Sequence, residues 1–433
     1  MLLFNYKKIA LRGVTVLTLF FVLLFTNAQI KVMSYNLLNF PTGNFIGRVD
    51  TLRPIIDFYK PQLFLIQELK TEDGLIEIAD MMNDLGYGTF TNAPFIAQQS
   101  DPNNPYFLQQ ALVYDTDIFT LAFQDEIITS VRDVNYYKLY LNDETQQDGS
   151  DTTFINVFVT HLKSSTGTDN EQSRLQMVNA FESYIEANLD SDDLVMIAGD
   201  FNLYSTNEPA YQELVNASNE IPMIDPFANY GNWAVSNFNH REILTQSTRS
   251  SQIGNDGAGG GVDDRFDFIM FSNAFYSISS PIKFLEGSFK SLGNNGTCYN
   301  SSITNCASGN DVPSNILRNI YYMSDHIPQV CELEIDLNLS VTENVQANVD
   351  FTWEKGNVLQ SNGGILINSD SPQNLDVFIY SLNGQVIVEK NIAVTYSTSY
   401  FPFDTEQMSD GMYLISIRTT SNQIISKKFI VKK

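Results

Sequence analysis

The chain has 433 residues, of which 43% are hydrophobic, enough to bury the core of one large domain and one smaller one. Its formal net charge of −25 argues against broad electrostatic adhesion to nucleic acid or anionic lipid, which needs many Lys and Arg contacts, though a local cationic groove stays open. At the N-terminus, Lys7, Lys8 and Arg12 precede an uncharged, mostly apolar run from Gly13 to Phe25 and the small-residue exit Thr26-Asn27-Ala28. This pattern predicts a cleaved signal peptide over residues 1–28. The run is shorter than the roughly 20 apolar residues that span a bilayer, so no stable membrane insertion is expected after cleavage. Cleavage removes three basic residues and no acidic one, leaving −28 from Gln29 onward.

From residue 29 to 336 the pattern predicts an α/β domain. Apolar strands are expected at Ile30 to Tyr35, Leu63 to Gln67, Ala111 to Tyr114, Phe154 to Thr160, Leu194 to Ala198, Phe266 to Phe271 and Gln329 to Ile335. Between two of these, Ser173 to Leu189 places Leu175, Val178, Phe181, Tyr184 and Ile185 on one helical face. Two irregular insertions follow, about Ile221 to Asp264 and Gly287 to Leu317. The first carries Phe227, Tyr230, Trp233 and Phe238, expected to pin the insertion to its own domain, and a glycine cluster from Gly254 to Gly261 expected to be a mobile surface loop. No Gly-Lys-Ser/Thr follows that cluster, so it is not a phosphate-binding P-loop. Cys298 and Cys306 bracket a polar stretch and are compatible with a local disulfide in an exported chain, whereas Cys331 sits in an alternating strand and reads as a small buried hydrophobe.

Residues 337–360 turn to Asn, Val, Thr and Ser, as a linker does, and residues 361–433 return to short β runs. The pairs Asn383-Gly384 and Asp410-Gly411 predict hairpin turns, because both tolerate positive φ. This tail has no histidine, no cysteine and no clustered acids. It is expected to be a small β module without chemistry.

The chemistry-bearing residues stand where the apolar strands end. Glu68 follows Leu63-Phe64-Leu65-Ile66-Gln67, and Asp200 and Asn202 follow Gly199 at the exit of a buried strand, where residues two apart face the same side. Asp267 is a carboxylate inside an apolar strand, which requires a partner, and His326 of Ser324-Asp325-His326 is the expected one. Asp325 is then free for a metal or water, and His161 supplies a second imidazole at a strand end. Two of the chain's three histidines thus fall among strand-end acids, while His240, in the first insertion, reads as a surface residue. Such a set suits metal-assisted phosphoester hydrolysis: a cation on the phosphate oxygens, a base for the attacking water and a donor for the leaving oxygen. Mg²⁺ fits the first task, with Mn²⁺ or Ca²⁺ as alternatives.

In order, Ser34-Tyr35-Asn36, Gln67-Glu68, Thr160-His161-Leu162-Lys163, Gly199-Asp200-Phe201-Asn202, Arg265-Phe266-Asp267 and Ser324-Asp325-His326 resemble the endonuclease/exonuclease/phosphatase superfamily over Ile30 to about Ile335. The resemblance implies a four-layer αββα sandwich. It also implies Glu68 as the principal metal ligand with Asn36 and Asp325 near the ion, Asp200 and Asn202 at the water and phosphate, and Asp267 orienting His326. Histidine at position 161 is similar to the deoxyribonuclease and sphingomyelinase branches rather than to the apurinic endonucleases, which have tyrosine there. Arg174 is expected to support the site from its helix. The tail, with Gly411-Met412-Tyr413 and Lys427-Lys428-Phe429-Ile430-Val431, resembles the type A sorting domain of the type IX secretion system, which implies a small β sandwich, that machinery as partner, and a secreted or surface location. Nucleic acid is the expected substrate, because Trp233, His240, Arg241 and Arg249 could form a basic, aromatic lip. A phospholipid or small phosphoester is the alternative, and a non-catalytic surface binder on the same fold the second.

Overall fold

The computed structural model describes residues 28–433, apart from 44–46, 102–107, 143–151, 236, 278, 336–348, 361, 370–371, 382–384, 396, 407 and 420–423. The expected signal peptide, Ala28 excepted, and the Asn383-Gly384 turn lie outside the described residues. The chain divides into two compact units, 1–339 and 340–433.

In the first unit the elements run β1 (Ala28–Phe40), α1 (Arg48–Tyr59), β2 (Leu63–Leu69), α2 (Glu72–Asp84), β3 (Phe90–Asn92), β4 (Gln109–Asp115), β5 (Phe119–Ile127), β6 (Val134–Leu141) and β7 (Phe154–His161). They continue with α3 (Thr168–Asn188), β8 (Val195–Asp200), α4 (Pro209–Leu214), β9 (Asp267–Phe271), β10 (Ile282–Phe284), β11 (Lys290–Ser291), α5 (Ser314–Met323) and β12 (Gln329–Ile335). One sheet has the order β10-β12-β1-β2-β4-β3, with β11 also on β12, and the other β5-β6-β7-β8-β9.

The strands read as continuous apolar runs because both faces are covered. Alternate side chains divide between two cores. Ile30, Val32, Leu63 and Leu65 of the first sheet meet Val157, Val159, Met196, Ala198 and Ile269 of the second in a layer between the sheets. Their neighbours Met33, Tyr35, Phe64 and Ile66 face outward onto Leu52, Ile55, Ile78, Met82 and Ile320 of the helices α1, α2 and α5. On the second sheet, Phe158, Ile197 and Met270 pack with Val178, Phe181 and Ile185 of α3. The layers are therefore helix, sheet, sheet, helix, the αββα sandwich expected.

The second unit is all β. Strands β13 (Val349–Trp353), β15 (Gly363–Ser369) and β18 (Ser397–Phe403) form one sheet. The other has the order β14 (Val358–Leu359), β20 (Ile424–Val431), β19 (Gly411–Arg418), β16 (Gln373–Ser381) and β17 (Val386–Val394). Val349, Phe351, Ile365, Val377, Ile415 and Phe429 share its core.

The structure corrects three local readings. Residues 349–359, placed in a linker, hold β13 and β14, which pair with β15 and β20. Asp410-Gly411 is not a hairpin turn: β18 before it pairs with β15, whereas β19 after it pairs with β16 and β20 in the other sheet. The second insertion is not wholly irregular, since α5 forms from Ser314 and buries Ile316, Leu317 and Ile320. Cys298 and Cys306 are joined in a disulfide, and Cys331 is a buried free thiol. Among the described residues no helix is long and apolar enough to cross a membrane.

Candidate active site

Strand direction brings the polar stretches together. β1 and β2 are parallel, as are β7 and β8, so the ends bearing Asn36 and Glu68, and those bearing His161 and Asp200, lie side by side. β9 runs antiparallel to β8 with Asp267 opposite Asp200. β12 runs antiparallel to β1, which delivers Asp325 and His326, just before it, to the same end. Gly199 permits the close approach of β7 and β8: at its φ of +146°, a Cβ would collide with the Thr160 carbonyl oxygen. Glu68 (φ 60°) and Asn202 (φ 49°) also have left-handed backbone, a costly state that gathers at functional sites.

All eight expected site residues are assembled here. Asp200 is central: its Oδ2 accepts from Asn36 Nδ2 at 3.0 Å and lies 3.4 Å from His161 Nε2 and 3.6 Å from His326 Nε2. Its Oδ1 accepts the Asn202 N–H at 3.0 Å. His326 Nδ1 lies 2.8 Å from Asp267 Oδ2, the pairing expected. Two N–H groups, of Phe266 and Asp267, donate to Thr245 Oγ1 and hold the start of β9 in place. Asn36 is oriented by the Leu38 N–H, which donates to its Oδ1, so it turns its amide nitrogen toward Glu68 Oε1 and Asp200 and grips the carboxylates. Of these, Glu68, His161, Asp200, Asn202 and His326 border a cavity of about 390 Å³ together with Asp325, while Asn36 and Asp267 bond to the residues that line it. A larger groove of about 770 Å³ beside Tyr59, Phe227 and Phe289 gathers none of them.

Burial pushes the Asp200 carboxyl up to about 7, and the carboxylates of Asp267 and Glu68 add to it against the pull of His326. Burial likewise raises Glu68, with Asp325 contributing. Burial would lower His326, but Asp267, Asp200 and Asp325 outweigh it and raise its pKa well above the ordinary range. His161 goes the other way: burial and the Arg132 guanidinium hold it neutral.

The donor set fits a hard divalent cation. Glu68, His161 and Asp200 each place a ligand atom within 4.8 Å of the others. Asp325 Oδ2 accepts from Gln246 Nε2 at 3.0 Å and the Ala258 N–H at 2.7 Å, while its Oδ1 is buried with no partner among the described residues. A buried carboxylate oxygen without a donor is costly unless a cation or water meets it.

Comparison with known proteins settles the tail. Residues 361–432 match the secretion system C-terminal sorting domain. A sorting domain of this kind indicates export by type IX secretion, to the surface or the medium. No curated protein matches the chain. Among solved structures, Danio rerio TDP2 complexed with single-strand DNA product is similar over 71% of this chain and 100% of its own, at 14% identity and a TM-score of 0.44. An endonuclease/exonuclease/phosphatase from Beutenbergia cavernae is similar over 93% and 100%, at 10% identity and 0.44. The mannosyl-6-phosphatase Bt3783 of Bacteroides thetaiotaomicron is similar over 70% and 99%, at 15% identity and 0.40. Likenesses this distant say nothing of this chain's substrate.

Ahead of the sorting domain, the site also holds groups that the sequence did not reveal. Arg132, on the loop between β5 and β6, lines the cavity and donates from Nη1 to the carbonyls of His161 and Leu162. Gln246 Nε2 lies 2.7 Å from His326 Nε2 as well as bonding Asp325. The glycine loop expected to be mobile packs on the site through the Ala258 N–H and a bond from Asn39 Nδ2 to Asp256. Arg174 supports the site as expected, tying the carbonyls of Lys163 and Ser165 to Glu208.

The aromatic lip does not form. Trp233 and Phe238 are buried, as pinning residues are, and Arg249 is buried with its guanidinium on the carbonyls of Tyr321 and Tyr322. Arg241 stacks on Tyr299 at 4.0 Å, and exposed His240 pairs with Glu242, the surface role expected of it.

Proposed function

We propose that residues 29–336 form a Mg²⁺-dependent phosphoester hydrolase, delivered to the cell surface or the medium by the sorting domain. The observation that carries this reading is the convergence of Glu68, Asp200, Asp325 and the His326–Asp267 pair on one cavity. Glu68 and Asp325 are the residues that would hold the ion with Asn36 beside them, its Nδ2 donating to Glu68 and to the neighbouring Asp200. A bound divalent cation supplies positive charge to the non-bridging phosphate oxygens. Asp200, whose pKa lies near neutrality, takes the proton of the attacking water, and the Asn202 N–H keeps that carboxylate aimed. His326, held by Asp267, and neutral His161 face the phosphate as hydrogen-bond donors.

The test is turnover of bis(para-nitrophenyl) phosphate with Mg²⁺, with and without chelator, against His326→Ala. Loss of the imidazole should lower the rate on the order of 10² to 10⁴. Activity unchanged by both chelator and substitution would overturn the site assignment, and no turnover at all would point to the non-catalytic surface binder. The nucleic-acid substrate expected from sequence loses its main support, since two of its four lip residues, Trp233 and Arg249, lie in the interior.

A further inference from the structure

We infer that the site admits a small phosphoester whose only charge is the reacting phosphate, and disfavours a nucleic-acid strand. This inference rests on the phosphoesterase reading and narrows it.

Residues 29–336 carry 41 acidic and 15 basic residues, whereas 361–433 carry six of each, so the negative charge belongs to the unit that holds the site. Nucleic-acid binding draws most of its affinity from Lys and Arg on successive phosphates. Here the arginines around the site face inward. Arg48 donates to the carbonyls of Leu37, Leu38, Thr42 and Met323. Arg174 is bound to Glu208, and Arg265 forms a two-pronged pair with Asp225 at 2.7 and 2.8 Å. With Arg249 also committed to backbone, these side chains stabilise loops and offer nothing to a strand outside.

Among the described residues lining the cavity, Arg132 is the one Lys or Arg. One guanidinium and one metal site match one phosphate. Apart from the site's own acids and histidines, the rest of the described lining is uncharged, with Leu38, Leu108, Tyr204 and Phe266 among it. A carboxylate flanks the wall: Asp256 accepts from Asn39, which lines the cavity. A phosphate on the next nucleotide would therefore meet like charge. The volume of about 390 Å³ falls in the range of small-molecule pockets.

The experiment measures kcat/KM of the full chain with Mg²⁺ on para-nitrophenyl phosphate, bis(para-nitrophenyl) phosphate and a single-stranded oligonucleotide, at salt concentrations from roughly 50 to 200 mM. Glu68→Gln is the blank. The small esters should be favoured by on the order of 10², with little salt dependence, and any cleavage of the oligonucleotide should rise with salt as repulsion is screened. Preference for the oligonucleotide, with a rate that falls steeply with salt, would overturn the inference and leave the phosphoesterase reading standing. If no ester is turned over in a chelator-sensitive way, both fail. The relative rates on the monoester and the diester tell which small ester the site takes.

Discussion

Asp267 makes the clearest residue-level prediction. It holds His326 by Nδ1 at 2.8 Å, so Asp267→Asn should keep the fold but misdirect the imidazole, lowering kcat on the order of 10² to 10⁴ with KM little changed. Steady-state kinetics on a small diester checks it. Removing a carboxylate proposed to hold the ion should act differently: Glu68→Gln should weaken Mg²⁺ by at least about 10- to 100-fold, read by calorimetry on the purified chain. The strand-end residues were legible because each follows a run of apolar side chains that had to be buried, and a polar residue closing such a run is conspicuous. Arg132, Gln246 and the Ala258 N–H were not. They sit on loops with no periodicity, and a main-chain donor has no side-chain signature at all.

At the level of elements, the tight seam between β7 and β8 depends on Gly199. Gly199→Ala should cost at least about 2 kcal/mol in urea unfolding, because a Cβ meets backbone there and the positive φ disfavours it. The first insertion is tied to β9 by Arg265 and Asp225, with Trp233 and Phe268 stacked on the guanidinium. Breaking that buried pair with Arg265→Ala should destabilise by about 3–5 kcal/mol. Burial alone would raise the Asp225 carboxyl, but Arg265 holds it below the usual carboxylate range. Its contribution to stability is therefore complete at neutral pH, begins to fall as pH drops below the ordinary carboxylate pKa and is lost through the folded one. Asp225→Asn should remove that part of the acid transition, measured by circular dichroism from neutral pH downward. The central strands of both sheets were readable from composition, but β5, with its half-exposed faces, and α1, with Pro54 inside it, were not, since neither shows an unbroken apolar stripe. Tertiary packing decides such elements.

For the whole molecule, the division at residue 339 predicts that a chain ending there folds with its hydrolytic activity intact, since every site residue lies before it. In its host that chain should remain in the periplasm, which fractionation and an activity assay would reveal. Loss of activity with export preserved would contradict this reading. The placement of β12 carries a consequence for biosynthesis. This last strand of the first unit lies in the interior of its sheet, between β10 and β1, and the residues just before it are Asp325 and His326. A nascent chain still short of residue 325 leaves one side of β1 unpaired and lacks the imidazole and the carboxylate that complete the cavity. Assembly of the cavity therefore waits until nearly the whole unit has been translated and its two ends have met.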